Sequence, residues 1–239
     1  MVKFSVEQIT QLNSTFKTPQ EILKWALNNL HPKIAMASSF GAEDVVVIDM
    51  MMKINPKARI FTLDTGRLNQ ETYDVMDEMR NKYNVNIEVM FPDQNEVEQM
   101  VRVNGMNLFY HSIGNRKLCC GIRKVHPLNR MLVTLDGWIT GLRGDQTQIR
   151  ADAKKIEIDE QHNNIIKVNP IIEWKLEEVW DYIKKNNIPY NKLHDKGYPS
   201  IGCEPCTRAI KPGEDLRAGR WWWETDPEKE CGLHADHGK

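Results

Sequence analysis

The chain lacks an excess of either charge: its 239 residues carry 32 Lys and Arg against 33 Asp and Glu, a formal net charge of −1. Coating of nucleic acid or of an anionic membrane is therefore not favoured, and any anion site must be local. A long hydrophobic run is missing as well. The most apolar stretch, VVVIDMMM at 45–52, is interrupted by Asp49 and is too short to span a membrane. The amino-terminal MVKFSVEQITQLNSTF has no basic region followed by an apolar one, so no export signal is expected, and a cytoplasmic location is. There is no repeat or low-complexity segment, and a hydrophobic content of 41% argues against a disordered or fibrous chain. What remains is enough chain for one large α/β domain with a short appendage.

Cysteine is scarce and odd in number. Cys119, Cys120, Cys203, Cys206 and Cys231 cannot all pair within one chain, and in a reducing compartment such thiols are more often ligands or catalytic groups than bridges. Four plus one is the natural division.

The first two thirds alternate β-rich runs with helical patterns, which predicts a mostly parallel sheet flanked by helices. Strands are expected at 33–39, 58–65, 85–91 and 137–142, and helices at 42–54, 69–83, 94–104 and 121–132. Tyr73, Met76, Met79 and Tyr83 recur at helical spacing and are expected to pack a core. A hairpin follows, KIEIDE and IIKVNP around the polar HNN, then an amphipathic helix at 175–187. From Pro189 onward the periodicity breaks down into Gly, Pro, Cys and Trp, so loops and short helices are expected there. A domain over 1–210 with a tail over 211–239 is the expected organisation.

Three predicted strand ends carry polar chemistry. SSFGAED (38–44) lies between a strand and a helix, where backbone N–H groups and a helix N-terminus converge on an anion. Ser38 and Ser39 add hydroxyls and Gly41 allows close approach, although the segment is not the GxxxxGK[ST] loop of ordinary P-loop NTPases. LDTGR (63–67) ends the second strand. TGLRGDQTQIR (140–150) follows another, with Arg143 and Arg150 beside Gly141 and Gly144. Nucleotides bind at this edge of open α/β sheets, so a nucleotide site is favoured over simple helix capping.

Cys119-Cys120 with Cys203-Glu-Pro-Cys206 supplies four thiolates, enough for a tetrahedral zinc or an iron-sulfur cluster. Zinc knuckles separate their ligands by two to four residues, whereas adjacent cysteines point apart and reach a larger object, which favours a 4Fe-4S cluster. Lys124, four residues after Cys120, can set an ammonium between such a cluster and an anionic substrate. Cys231 stands apart in ECGLH, with His234 three residues on. As a nucleophile it needs a stabilised thiolate, for which Arg217 and Arg220 in EDLRAGRWWW are an available guanidinium pair.

The set SSFGAED, LDTGR, CCGIRK, GLRGDQ, CEPC, RAGRWWW and ECGLH, spanning residues 38 to 234, closely resembles the assimilatory adenylyl-sulfate reductases of the iron-sulfur branch. The fold this implies is that of the PP-loop adenosine-nucleotide α-hydrolase group, with SSFGAED standing where SGGxDS is usual. The resemblance implies that Cys231 attacks the sulfur of adenylyl sulfate, expels AMP and carries an S-sulfocysteine. It implies roles for Lys124, Arg143, Arg217 and Arg220 as cations and for His234 in tuning the thiol. The implied substrate site takes in Ser38, Ser39, Phe40, Gly41 and Glu43, then Leu63, Asp64, Thr65 and Gly66, and also Arg123, Gly141 and Arg143. Its implied cofactor is one 4Fe-4S cluster on Cys119, Cys120, Cys203 and Cys206. With no resolving cysteine, thioredoxin is the implied donor of both electrons, and a homo-oligomer is implied too. No residue separates adenylyl sulfate from its 3′-phosphorylated form, PAPS. The rivals are an ATP-dependent adenylating or sulfur-transfer enzyme with a PP-loop and a cluster, and a zinc-binding or redox-sensing module.

Overall fold

The computed structural model describes residues 4–147 and 150–225. Six strands form one sheet: β1 (Ile34–Ala37), β2 (Arg59–Leu63), β3 (Ile87–Met90), β4 (Gly137–Ile139), β5 (Ile156–Asp159) and β6 (Ile165–Val168), in the order β3-β2-β1-β4-β6-β5. β1 pairs in parallel with β2 and β4, and β4 with β6, while β5 runs antiparallel to β6 as the expected hairpin. The mostly parallel sheet flanked by helices is therefore as expected. β4 stops at Ile139, earlier than the sequence suggests, although Thr140 N–H still donates to the Val168 carbonyl at 2.9 Å.

Eight helices surround these strands among the described residues: α1 (Val6–Thr15), α2 (Pro19–Leu30), α3 (Ala42–Ile54), α4 (Gln70–Tyr83), α5 (Gln94–Asn104), α6 (Ile113–Cys120), α7 (His126–Leu132) and α8 (Leu176–Asn186). The helix expected at 121–132 instead begins at Ile113, where Ser112 Oγ caps Asn115 N–H at 3.1 Å. Between α6 and α7, Gly121–Val125 winds as a π-turn closed by His126 N–H on the Gly121 carbonyl.

The chain divides into two compact units. The first comprises residues 1–62, 75–88 and 131–190. Its central helix is α3, buried nearly all round because it packs against α2 and α8. Burying Asp49 in that apolar run would be costly unpaired, and it accepts Tyr83 Oη at 2.7 Å, Tyr182 Oη at 2.8 Å and Lys53 Nζ at 2.7 Å. Met76 and Met79 are buried as expected. Tyr83 owes its placement to this hydroxyl as much as to its ring.

The second unit comprises residues 63–74, 89–130 and 191–239. Its core gathers Met100, Leu108, Phe109, Cys206 and Trp221, with Cys119, Cys203 and Trp223 packed against them. No helix among the described residues is long and apolar enough to cross a membrane.

Candidate functional site

In the order β3-β2-β1-β4 the strand sequence reverses between β1 and β4, the kind of switch point where open α/β sheets bind ligands beyond the carboxyl ends of their strands. Two segments of the first unit face each other there, 38–44 after β1 and 140–143 after β4. An added Cβ on Gly141 would overlap Asp44 Oδ1 and lie 3.2 Å from both Asp44 N and Glu43 Cβ, so glycine is what permits this approach.

Within the loop each backbone donor can be followed to its acceptor. Ser38 N–H donates to the Phe61 carbonyl at 2.9 Å, and Phe40 N–H to Ser38 Oγ at 3.0 Å. Ser39 donates twice to Asp44 Oδ2, through N–H at 2.6 Å and Oγ–H at 2.8 Å, and Gly41 N–H also binds that carboxylate. Phe40, fully buried, holds a left-handed φ of 58°, a strained setting for an aromatic residue. Burial pushes the Asp44 carboxyl from an ordinary 3.8 up to about 6, against the pull of the Ser39 bonds. Arg143, 3% exposed, donates Nε to Glu43 Oε1 at 3.0 Å and pairs with Asp145. Gln146 Nε2 reaches the same Glu43 oxygen at 3.1 Å, and Arg150 Nη1 donates to Gln146 Oε1 at 2.5 Å.

The second unit contains a cavity lined by Arg67, Phe109, Arg116, Cys119, Cys120, Arg123, Lys124, Cys203, Pro205 and Cys206. All four cysteines outside the tail are thus brought together with four cations. Arg116, Cys119, Cys120, Arg123 and Lys124 stand at i, i+3, i+4, i+7 and i+8, the spacing of one helix face. On the facing segment, Cys203 and Cys206 are held by a tight turn in which Cys206 N–H donates to the Cys203 carbonyl at 2.9 Å. Burial pushes the Cys206 thiol far up, with Cys203, Cys120 and Cys119 adding to it. Burial raises Cys119 too, against the Arg123 guanidinium. No group of three or more His, Cys, Asp or Glu side chains among the described residues is arranged to hold a metal ion.

The LDTGR segment abuts this cavity. Asp64 forms an Asx turn, accepting Gly66 N–H at 2.8 Å, and the positive φ of 70° at Gly66 suits glycine. The same oxygen takes Tyr73 Oη at 3.0 Å, and burial beside Asp64 pushes that phenol up to about 12. Thr65 is fully buried: its hydroxyl lies 3.2 Å from Cys203 Sγ, and its carbonyl accepts Arg123 Nη1 at 2.6 Å. Leu63 ends β2 itself.

Arg217 lies in a turn, its N–H donating to Asp215 Oδ1 at 2.8 Å. Arg220, 8% exposed, donates Nη1 to the Ile201 carbonyl at 3.2 Å and stacks 4.7 Å from the Trp221 ring centroid. Arg116 stacks on Trp221 at the same distance, and its Nε and Nη2 form a bidentate pair with Glu224 at 2.9 and 3.0 Å. Both side chains of that pair are at most 3% exposed. Asp44, Arg116, Trp221 and Glu224 carry no role in the sequence reading, and Tyr73, expected in a core, is half-buried with its hydroxyl on Asp64. The helical stripe from Arg116 to Lys124 was the available signal for one of them. Cys231 and His234 lie outside the described residues.

A model of the phosphoadenosine phosphosulfate reductase domain matches residues 33–209. An adenosine 5′-phosphosulfate reductase of Burkholderia cepacia is 48% identical over 204 residues, covering 85% of this chain and 81% of that protein. A Pseudomonas aeruginosa protein of the same name is 45% identical over 224 residues, covering 92% and 83%. The crystal structure of a phosphoadenylyl-sulfate reductase from Candida auris, solved as a phosphate complex, is similar with a TM-score of 0.74 at 29% identity, covering 87% of this chain and 99% of that one. Yeast FAD synthetase shares the fold alone, with a TM-score of 0.55 at 12% identity over 87% of this chain and 70% of that one.

Proposed function

The chain belongs to the phosphoadenosine phosphosulfate reductase domain family, and on that premise we propose that it reduces adenylyl sulfate to sulfite and AMP in sulfate assimilation. The observation that carries the reading is the cavity where Cys119, Cys120, Cys203 and Cys206 meet Arg67, Arg116, Arg123 and Lys124. Four thiols facing one space, two of them from adjacent residues, suit a 4Fe-4S cluster better than zinc. When bound, that cluster supplies structural and electrostatic support beside the cations.

The reaction itself falls to Cys231, on the tail formed by residues 211–239. Its thiolate attacks the sulfur of the phosphoric-sulfuric anhydride. A sulfur–sulfur bond forms, the sulfur–oxygen bond to AMP breaks, and AMP departs with the electron pair. The attack brings one anion toward another, so cations held in place beforehand must offset the repulsion. Lys124, Arg143, Arg217 and Arg220 are assigned that work, and His234 the tuning of the thiol. A dithiol of the thioredoxin class then attacks the Cys231 sulfur, releases sulfite with its electron pair, and closes its own disulfide, which completes a two-electron reduction. The adenosine part is assigned to Ser38, Ser39, Phe40, Gly41 and Glu43 with Gly141, and to Leu63, Asp64, Thr65 and Gly66. We assign a homo-oligomeric state by family resemblance.

The test is Cys231→Ser in the holoprotein. It is expected to keep its iron, its brown colour and AMP binding while sulfite release is lost. Full activity in that variant rejects the assignment. Steady-state rates on adenylyl sulfate and on PAPS in the same preparation fix the substrate.

A further inference from the structure

The chain leaves β4 through Thr140, Gly141 and Arg143 and comes back to β5 through Lys154, and one side chain holds both places. Asn169, just past β6, is fully buried. Its Oδ1 accepts the Thr140 hydroxyl at 2.6 Å, and its Nδ2 donates to the Lys154 carbonyl at 2.7 Å. The second amide hydrogen goes to Glu157 Oε1 at 3.0 Å. The Lys154 carbonyl can only accept, so the orientation of the amide is fixed, and a carboxylate in its place could not make that bond. Thr140 passes the constraint on, because its oxygen accepts the N–H of Leu142 at 3.3 Å, between Gly141 and Arg143. The backbone turn that begins at Asn169 adds a further tie. Ile172 N–H donates to the Asn169 carbonyl at 3.2 Å, and the Ile172 carbonyl accepts Gly144 N–H at 2.8 Å.

We propose that Asn169 is a positioning residue for the nucleotide: by joining the exit from β4 to the entry into β5 it sets where Gly141 and Arg143 stand against adenylyl sulfate. The proposal rests on the nucleotide-site reading of those two residues. Satisfying a buried amide needs partners of the right kind, wherever they lie in the chain. Here two of the three partners are the two ends of one connection, so the amide fixes their separation. Binding residues on a connection are only as well placed as the scaffold that holds its ends, and small displacements of such groups are costly to a reaction. Asn169 therefore acts through Thr140 and Lys154 rather than on the ligand.

The test uses the full-length holoprotein, with AMP titrated calorimetrically and adenylyl sulfate turned over well below the melting midpoint. Thr140→Val removes the hydroxyl, Thr140→Ser restores it, and Asn169→Asp removes the donor to Lys154. In Thr140→Val and Asn169→Asp, AMP binding should weaken by about tenfold, and kcat/KM on adenylyl sulfate should fall by at least about as much, with iron content unchanged. Thr140→Ser should stay close to the wild type in both measurements. A purely structural role would lower the melting midpoint and leave the AMP affinity and kcat/KM of the folded variants where they were, and that result overturns the proposal. So does a loss that Thr140→Ser fails to restore, because the hydroxyl is then not what holds the connection. Thr140→Val keeps the test decisive if Asn169→Asp does not fold. A wild type that binds neither AMP nor adenylyl sulfate rejects the nucleotide-site reading instead.

Discussion

Substituting Gly141 by alanine tests the packing of the crevice. The backbone there is not left-handed, so alanine meets no conformational penalty and would gain about 0.4–1 kcal/mol by restricting the unfolded chain. Against that small gain stands the overlap of the new methyl with Asp44 Oδ1, with backbone nitrogen and Glu43 Cβ each 3.2 Å away. Overpacking of this kind costs about 1–3 kcal/mol. The carboxylate must also withdraw from Ser39, and a hydrogen bond to a charged group is worth about 1.5–3 kcal/mol. A net loss of about 3 kcal/mol follows. At about 2–4 °C per kcal/mol for a protein of this size, the melting midpoint should fall by roughly 6–12 °C. Differential scanning calorimetry reads this directly. In an Asp44→Ser background, where the carboxylate oxygen is absent and only the two 3.2 Å contacts remain, the same substitution should cost less than half as much. A Gly141→Ala protein melting within about 2 °C of wild type would refute the reasoning, and so would an equal loss in both backgrounds.

Other outcomes follow from the same geometry. Because the Asp44 carboxyl is raised from 3.8 to about 6 in the folded protein, the native state holds a proton that the unfolded chain has lost between those values. Its stabilising contribution is full below about pH 4 and disappears as the pH rises through about 6. Denaturant unfolding from pH 4 to 7 should therefore show the wild type losing about 3 kcal/mol relative to Asp44→Asn, and parallel profiles would contradict this. Cys203→Ser should lose iron and activity together, measured by metal analysis and sulfite release, and an active iron-free protein would reject the four-thiolate reading. Glu224→Gln removes the carboxylate charge that pairs bidentately with the buried Arg116 and should destabilise the protein by about 3–5 kcal/mol, with a matching drop in thermal midpoint. Tyr73→Phe removes the phenol that shares Asp64 Oδ1 with Gly66, and should weaken AMP binding severalfold in calorimetry while the iron content stays unchanged.

The sheet, the hairpin and α3–α5 are legible in the sequence because their signals are local: apolar periodicity, a polar turn, a glycine at a strand end. α1 and α2 are absent from the expected elements because their apolar faces form no clear run, and the capping boxes Ser5 with Gln8 and Thr18 with Glu21 are the signal that locates them. Asp44 escaped notice because an acidic residue in a helix's first turn reads as ordinary dipole complementarity, and its convergence with Ser39 depends on how the loop folds back. Arg116 and Glu224 lie 108 residues apart, and nothing within a helical window links them. Thr65 adds a contact that no motif spacing carries: its hydroxyl lies against the sulfur of Cys203, 138 residues away.

The π-turn at Gly121–Val125 has a consequence for how this chain can vary in length. α6, the turn and α7 form one unbroken helical rod, with the cysteine pair before the turn, Arg123 and Lys124 within it, and the buried Leu128 beyond. Each residue added or removed between Cys120 and His126 turns everything downstream by about 100° while changing no side chain. Substitutions there can be absorbed one at a time, but the reading frame of the rod cannot slip. Among proteins that keep this thiol-and-cation face, the interval from Ser112 to Leu132 should be free of gaps.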